Sequence, residues 1–527
     1  MSGGIHHAQF VVLLLLLCVA AFAALARKLQ TSYPIVLVIA GLVISFIPRF
    51  PKVELNPDLI FFVVLPPLLY AAAWTTSWRD FSHNLTSILL LAIGLVTFTV
   101  FSVAALAPRI VSIDWRSGFI LGAVVATTDA IAATSISRRL GVARRIVDVL
   151  EGESLVNDAT GLLALELGLA MALGGQSLEL SIALLRLGQL VAIGIGVGIA
   201  VGFVIDWLER QIDDATIEIT ISFLVPYAAY LAANELNGSG VLAVVTCGLF
   251  LSRRSARFFS PTVRMQVNAV WAALTFILNG LVFVLIGLQL PWVVDAIPGH
   301  RFPELFIDAA EFCVLLIGLR LLWVFPGAYL SHFIRVRFLK QDDPLPSPRA
   351  IFIVGWTGMR GVIALAAALS LPAVITERNV IVFLTFSVIL VTLVGQGLTL
   401  APLIRALRVG GQEPTKREVQ EARVQMLETA LEHLDRARSE DLAEFADVYE
   451  DLAYHYRTRL ATLLGEGADQ HGGSAQHDER YREVSRQLIS VERETAIHLR
   501  DQGRISDESL RELLNELDLE ESHLATT

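Results

Sequence analysis

The residues best suited to chemistry lie in one segment, Glu151-Gly-Glu-Ser-Leu-Val-Asn-Asp158, within a largely apolar stretch that runs from Ile146 to Leu173. On an α-helix, Ser154 and Asp158 are four residues apart and lie on the same face. A hydroxyl and a carboxylate on one face form an oxygen-rich pocket, and hard cations take oxygen ligands. Because burial disfavours the ionised form of a carboxylate, Asp158 could hold either a proton or a small cation. Competition for one carboxylate is the chemistry of an exchanger.

A second polar interruption, Thr127-Thr128-Asp129, lies in the apolar run from Gly118 to Ile136. A charge at bilayer depth costs at least ~2.5–3.5 kcal/mol on insertion scales, and charges kept there usually serve an ion or substrate path. The alternative is a harmless polar pocket inside a helix bundle. A helix broken at this point would expose backbone carbonyls near Thr128, and Asp129 could neutralise an exposed helix end.

The composition indicates that a membrane surrounds these residues. Of the 527 residues, 54% are hydrophobic and 17% are charged, whereas a soluble protein carries about 25% charged residues. The net charge of −10 is unevenly placed, because residues 412–527 hold 27 acidic and 14 basic side chains and the first 411 residues are therefore net +3. No basic tract suggests nucleic acid, and the three cysteines have no metal or disulfide spacing.

Thirteen apolar runs approach or reach the roughly 20 residues that span a bilayer. They lie at residues 9–26, 33–48, 58–74, 87–107, 116–136, 146–173, 185–206, 217–235, 239–252, 270–290, 305–331, 349–372 and 379–404. Short loops on one side hold sixteen Lys and Arg residues against six on the other, which predicts that the first side is cytoplasmic. Basic residues follow the first run rather than precede it, so we interpret it as a span with the N-terminus outside, not a signal peptide.

Several of these spans contain residues that should interrupt a regular α-helix. The third contains Pro66 and Pro67, which should kink it. The twelfth reads Gly355-Trp-Thr-Gly-Met-Arg-Gly361, where Arg360 could neutralise a helix end. Broken helices in matching places of two halves indicate a transporter site, so we predict two inverted repeats, spans 1–6 and 8–13, joined by span 7. Alternatively, the glycines only allow close helix packing.

Residues 412–527 differ in composition from the rest and predict a cytoplasmic helical tail. A Gly-rich stretch near 465–477 predicts a flexible linker. The charge runs of this tail are typical of a solvated face, and no motif identifies a regulator or ligand for it. Helical spacing predicts helices at 414–465, 479–502 and 506–519.

The order and spacing of these motifs resemble the cation–proton antiporter 1 family of sodium/proton exchangers over about residues 10–405. The resemblance rests on Thr128-Asp129, Glu153-Ser-Leu-Val-Asn-Asp158, Leu65-Pro-Pro67, Arg320 followed by Val324-Phe-Pro326, and Gly358-Met-Arg-Gly361. It implies an all-α inverted-repeat antiporter fold in a bacterial cytoplasmic membrane and a homodimer. The implied transport core, mainly 116–173 and 305–404, moves as an elevator against a dimerisation scaffold, mainly 1–107 and 185–290.

The resemblance also implies roles for individual residues. Asp158 would bind the cation and the proton, with Ser154 and the Thr128 carbonyl as further ligands of Na+ and Asp129 beside them. Asn157 would organise the crossing helices, and Glu153 would pair with Arg320. Arg360, Gly358 and Gly361 would support the second break. In many relatives an acidic residue occupies the position of Ala71, so their ion preference cannot be transferred.

We therefore predict a secondary antiporter that exchanges Na+ for H+ and needs no cofactor, with K+ or Li+ as alternative cations. One titratable group at the crossing predicts one-for-one, electroneutral exchange. A cation channel and a membrane sensor are the other classes considered. A channel needs a filter, and an ATP-driven pump needs a phosphate-binding Gly-x-x-x-x-Gly-Lys-Ser/Thr motif; the sequence has neither.

Overall fold

The computed structural model describes residues 2–410 except 48–49, 51–52, 54, 174–179, 213, 259–260, 298–301 and 342–343, and beyond them only scattered residues between 424 and 519. The chain divides into two compact units, residues 1–412 and 413–527. Within the second unit, residues 427–436 are helical. The linker predicted near 465–477 lies outside the described residues.

The described part of the first unit is entirely helical. Its α-helices are α1 (Ser2–Lys28), α2 (Tyr33–Ser45), α3 (Pro57–Leu59), α4 (Leu65–Thr75), α5 (Trp78–His83), α6 (Leu85–Leu89), α7 (Val96–Ile110), α8 (Trp115–Ala126), α9 (Ile131–Arg139), α10 (Arg144–Leu173), α11 (Leu180–Glu209), α12 (Ala215–Glu235), α13 (Gly240–Phe258), α14 (Pro261–Leu288), α15 (Leu290–Asp295), α16 (Phe302–Arg337), α17 (Pro348–Trp356), α18 (Val362–Leu369), α19 (Arg378–Leu390) and α20 (Gly397–Leu407).

Nine helical segments within the described residues are long and apolar enough to cross a membrane. They are residues 9–28, 57–75, 85–110, 115–139, 144–173, 185–209, 215–235, 263–295 and 378–407. The other four predicted spans coincide with α2, which has 13 residues, with α13, with α16, and with the pair α17 and α18. The prediction of an all-α polytopic membrane protein is confirmed, while the count of thirteen spans and the inverted repeats stay predictions.

The two prolines of the third span lie inside a helix that is continuous from Pro57 to Thr75. Pro66 and Pro67 begin α4, directly after a π-helical turn at Ile60–Val64. Prolines and π turns are both common causes of helix distortion, so the irregularity lies where the prolines predict it. Two more π turns, Leu90–Leu95 and Val391–Gln396, interrupt spans that the sequence predicts as regular.

Helices α2 and α14 are in backbone contact through two glycines. A Cβ added to Gly41 would meet the carbonyl oxygen of Val284, and one added to Gly287 would lie 2.6 Å from the amide nitrogen of Leu42. Small residues permit such close approach between helices in lipid. The pair therefore forms a fixed wall, on which α1 also packs.

The segment Leu85–Ile110 packs on α8, α10 and α16. These three helices belong to the stretches predicted as the transport core, whereas Leu85–Ile110 lies mostly within the stretch 1–107 predicted as scaffold. Hydropathy predicts that a segment spans, but it carries no information about which helices are its neighbours. The packing therefore places Leu85–Ile110 beside the helices of the predicted core.

Candidate ion-binding site

Two interrupted helices meet at the centre of the first unit. The break Thr127–Ala130 separates α8 from α9, and the break Thr357–Gly361 separates α17 from α18. The backbone N–H of Asp129 donates a hydrogen bond to the carbonyl oxygen of Met359 at 2.8 Å. Both breaks lie where Thr127-Thr128-Asp129 and the glycine-rich motif predict them, and the backbones cross there.

Asp129 lies between the N-terminal ends of two half-helices. Its Oδ1 accepts a hydrogen bond from the backbone N–H of Ile131 at 2.8 Å, in the first turn of α9. A Cβ added to Gly361, the N-cap residue of α18, would lie 2.5 Å from Asp129 Oδ2. A carboxylate at these two positive dipole ends is electrostatically favourable.

Arg360 occupies the opposite electrostatic position. Its Nε donates to the carbonyl oxygen of Val125 at 2.8 Å, near the C-terminal end of α8, and its Nη1 donates to the carbonyl oxygen of Gly358. Its backbone N–H donates to Thr392 Oγ1 at 3.1 Å. A guanidinium thus satisfies carbonyls that the breaks leave without helical partners. In the sequence, Thr392 is a single threonine in an apolar run and carries no motif that marks it as part of the crossing.

Glu153 and Arg320 form a buried bidentate ion pair. The distances are 2.6 Å from Arg320 Nη1 to Glu153 Oε1 and 3.0 Å from Nη2 to Oε2, and both side chains are 2% exposed. The Thr128 hydroxyl donates to Glu153 Oε1 at 3.3 Å and accepts a hydrogen bond from the Asn157 amide. Asn157 and Glu153, both on α10, thus hold the first break while Arg320 ties it to α16.

Gly358 is required by the close approach of Arg320. A Cβ at position 358 would collide with Arg320 Cδ and lie 2.7 Å from its Nε. The glycine lies at the second break rather than within a regular helix. The absence of a side chain at position 358 therefore makes room for the buried Arg320 guanidinium, in addition to any role in helix packing.

Ser154 and Asp158 open onto a cavity of about 180 Å³ at the crossing. Ser154 Oγ donates to the carbonyl oxygen of Thr128 at 2.9 Å, and Asp158 is 5% exposed. Thr128, Asp129 and Glu151 also line the cavity, and its described lining contains three carboxylates but no Lys, Arg or His. The arrangement offers carboxylate, hydroxyl and carbonyl oxygens, the ligand set of a hard monovalent or divalent cation.

Ala71 lies away from this cavity. Helix α4 lines it through Leu68, Ala72 and Thr75 among others, while Ala71 packs in an apolar cluster that includes Ala229 and Cys247. Asn279 of α14 also lines the cavity, and no motif in the sequence singled it out.

Comparison with known proteins gives the family. The family described as "Sodium/hydrogen exchanger, transmembrane" matches residues 12–406. The Na(+)/H(+) antiporter ApNhaP of Aphanothece halophytica is 33% identical over 77% of this chain and 76% of its own length. The "Sodium, potassium, lithium and rubidium/H(+) antiporter" of Bacillus subtilis is 30% identical over 97% of this chain and 78% of its own length.

The fold is that of a solved antiporter. The sodium proton antiporter MjNhaP1 of Methanocaldococcus jannaschii superimposes with a TM-score of 0.60 at 19% identity, over 77% of this chain and 100% of that chain. The chain therefore belongs to the sodium/hydrogen exchanger family and is a multi-pass membrane transporter of the secondary type, not an enzyme.

Proposed function

We propose that the chain exchanges Na+ for H+ by alternating access of Asp158 to the two sides of a bacterial cytoplasmic membrane. The observation that carries the proposal is the cavity in which Asp158, Ser154 and the break at Thr128 converge without a basic side chain in its described lining. A deprotonated Asp158 would bind the cation together with the Thr128 carbonyl and the Ser154 hydroxyl. A protonated Asp158 would release it.

The other charged residues at the helix crossing already have structural partners, so Asp158 is the carboxylate that exchanges ions. Asp129 already serves two helix N-termini, and Glu153 is neutralised by Arg320. One carboxylate carries one proton or one monovalent cation, so each cycle exchanges one for one and moves no net charge. K+ and Li+ are further candidate cations, because the antiporter of Bacillus subtilis is named for several alkali cations.

We also propose an architecture for the transporter. The chain forms a homodimer through its scaffold helices. The core, here including Leu85–Ile110, moves as an elevator against this scaffold, and the membrane unit consists of two inverted repeats. The N-terminus lies outside, and the tail at 412–527 lies in the cytoplasm. The excess of Lys and Arg in the short loops of one side supports this orientation.

The test uses everted membrane vesicles from a host without its own exchangers. A pH-sensitive dye is quenched by respiration, and Na+, K+ or Li+ is then added over a range of pH. We expect Na+ to restore the fluorescence, and the concentrations at which K+ and Li+ do so rank the three cations. Absence of dequenching with all three cations, in vesicles that contain the folded protein, would overturn the proposal.

A further inference from the structure

Helices α4 and α14 contribute an almost entirely apolar wall to the cavity. Their described lining residues include two polar side chains, Thr75 and Asn279. The Thr75 hydroxyl donates to the carbonyl oxygens of Ala71 and Ala72, both at 3.1 Å, within its own helix. Asn279 is therefore the amide on this wall whose oxygen could serve a ligand in the cavity.

Tyr33 lies next to the Asn279 side chain. The Asn279 amide is near enough to the Tyr33 hydroxyl to donate a hydrogen bond to its oxygen, and Asp129 lies within electrostatic reach of the same hydroxyl. Its ring packs on Phe276 and Phe283, with centroid distances of 5.6 and 6.5 Å. These two residues stand three before and four after Asn279, on the same face of α14. The tyrosine ring thus lies along the face that carries the amide.

The two helices that carry this pair are fixed against each other. Tyr33 is the first residue of α2, and Asn279 lies in the middle of α14. The contact of Gly41 with α14 and of Gly287 with α2 leaves no room for the backbones to separate or shift without loss of packing. A preorganised polar group contributes more to binding than one that must be ordered by the ligand.

We propose that Asn279 supplies an amide oxygen as a ligand to the transported cation from helix α14, and that Tyr33 is its positioning residue. When the amide N–H donates to the Tyr33 hydroxyl oxygen, the amide oxygen keeps both of its lone pairs for the cation. It is also a ligand that hard cations accept. Being neutral, it adds affinity without a second titratable group. This inference rests on the proposed exchange at Asp158.

Asn279 would contribute to cation binding from one side of the membrane. The cavity lining continues to Thr75, Thr134 and Glu151, which lie toward the ends of their spans predicted to be cytoplasmic. If the core carries Asp158 away from α14 during transport, Asn279 contacts the cation in the cytoplasm-facing state. Its loss should therefore weaken cation binding from the cytoplasm.

The experiment measures the apparent KM for Na+, Li+ and K+ in everted vesicles, whose outer face is the cytoplasmic one. We expect Asn279→Ala to raise the KM for Na+ about tenfold, the size of losing one interaction with a charged partner, at an unchanged maximal rate. The KM ratio between Na+ and Li+ should also change. Tyr33→Phe should raise the KM less. Ile277→Ala, at an exposed position of the same helix outside the cavity lining, should leave the KM and the ratio unchanged.

A second variant covers the case in which Asn279→Ala does not fold. Asn279→Asp keeps an oxygen of the same reach, so its KM for Na+ should stay within about threefold of wild type, and its exchange should become sensitive to membrane potential because a second carboxylate is present. An unchanged KM in folded Asn279→Ala, or loss of Na+ affinity in Asn279→Asp, would overturn the inference. Wild-type protein that exchanges no cation would instead overturn the proposed function.

Discussion

At the scale of single residues, we expect the Glu153–Arg320 pair to stabilise the fold more than it tunes ion binding. Both side chains are 2% exposed, and removing one partner of a buried ion pair costs ~3–5 kcal/mol because a charge is left unpaired. We expect Glu153→Gln and Arg320→Ala to lower the yield of folded protein, measured by size-exclusion chromatography, more than they change the apparent cation affinity.

The control is a second ion pair, Arg138–Glu151, in which the arginine is exposed. Arg138 lies 2.7 Å from Glu151 with a side chain 63% exposed, and such pairs contribute only ~0–1 kcal/mol. Arg138→Gln should therefore keep the wild-type yield. Well-folded Glu153→Gln and Arg320→Ala variants in which only the cation constant shifts would show that the pair belongs to the binding site.

Residue types predict part of the site and leave part of it hidden. Ser154, Asn157 and Asp158 stand out in the sequence because polar groups are costly at membrane depth. Asn279 and Tyr33 do not, because a lone amide in an apolar run shows no partner until α2 and α14 are placed together. Sequence spacing reveals neighbours along one helix, but contacts between distant helices depend on the packing.

At the scale of elements, the tight crossing of the two breaks depends on Gly361. A Cβ at this position would lie 2.5 Å from Asp129 Oδ2 and 2.6 Å from Asp129 Cβ. Since the backbone φ of −122° suits any residue, the contact and not the conformation should matter. Overpacking of this kind costs ~1–3 kcal/mol. We expect Gly361→Ala to lower both the melting temperature and the exchange rate.

The matched substitution is Gly318→Ala, on the neighbouring helix α16. A Cβ there has nothing within 4 Å, so stability and exchange should stay at wild-type values. If Gly361→Ala behaves like Gly318→Ala, the crossing has more free space than the structure shows, and the account of the second break is wrong.

The elements differ in how far the sequence predicts them. Apolar runs and the Gly355, Gly358 and Gly361 motif predict the helices and the second break, because length and missing side chains are properties of the sequence. The π turns at Leu90–Leu95 and Val391–Gln396 have no comparable signal. The packing of Leu85–Ile110 on the core helices also has no signal in the sequence. Its apolar composition is equally compatible with contact to the core and to the scaffold.

At the scale of the whole molecule, the tail and the membrane unit are expected to have separate tasks. All the residues of the candidate site lie before residue 410, and the tail of 27 acidic and 14 basic residues has a different composition. Deletion of 412–527 should leave a protein that still exchanges, with altered pH response or assembly, measured in everted vesicles. A folded truncation without exchange at any pH would place the tail within the transport mechanism.

A cycle that moves one proton against one monovalent cation has no net charge to couple to the membrane potential, which acts at ~2.3 kcal/mol per unit charge per 100 mV. The end-point of Na+/H+ exchange in proteoliposomes should therefore not change when valinomycin and K+ clamp the potential. A shift of the end-point would indicate a second proton carrier, with Asp129 the first residue to examine.

The central claim is that Asp158 is the carboxylate for which Na+ and H+ compete. Its most direct test is Na+-driven proton movement in proteoliposomes that contain purified Asp158→Asn protein. The control is Asp148→Asn, a substitution on the same helix near its N-terminal end. We predict normal expression and assembly of both variants, exchange by Asp148→Asn, and none by Asp158→Asn at any Na+ concentration. Proton movement at the wild-type rate in Asp158→Asn would contradict the account.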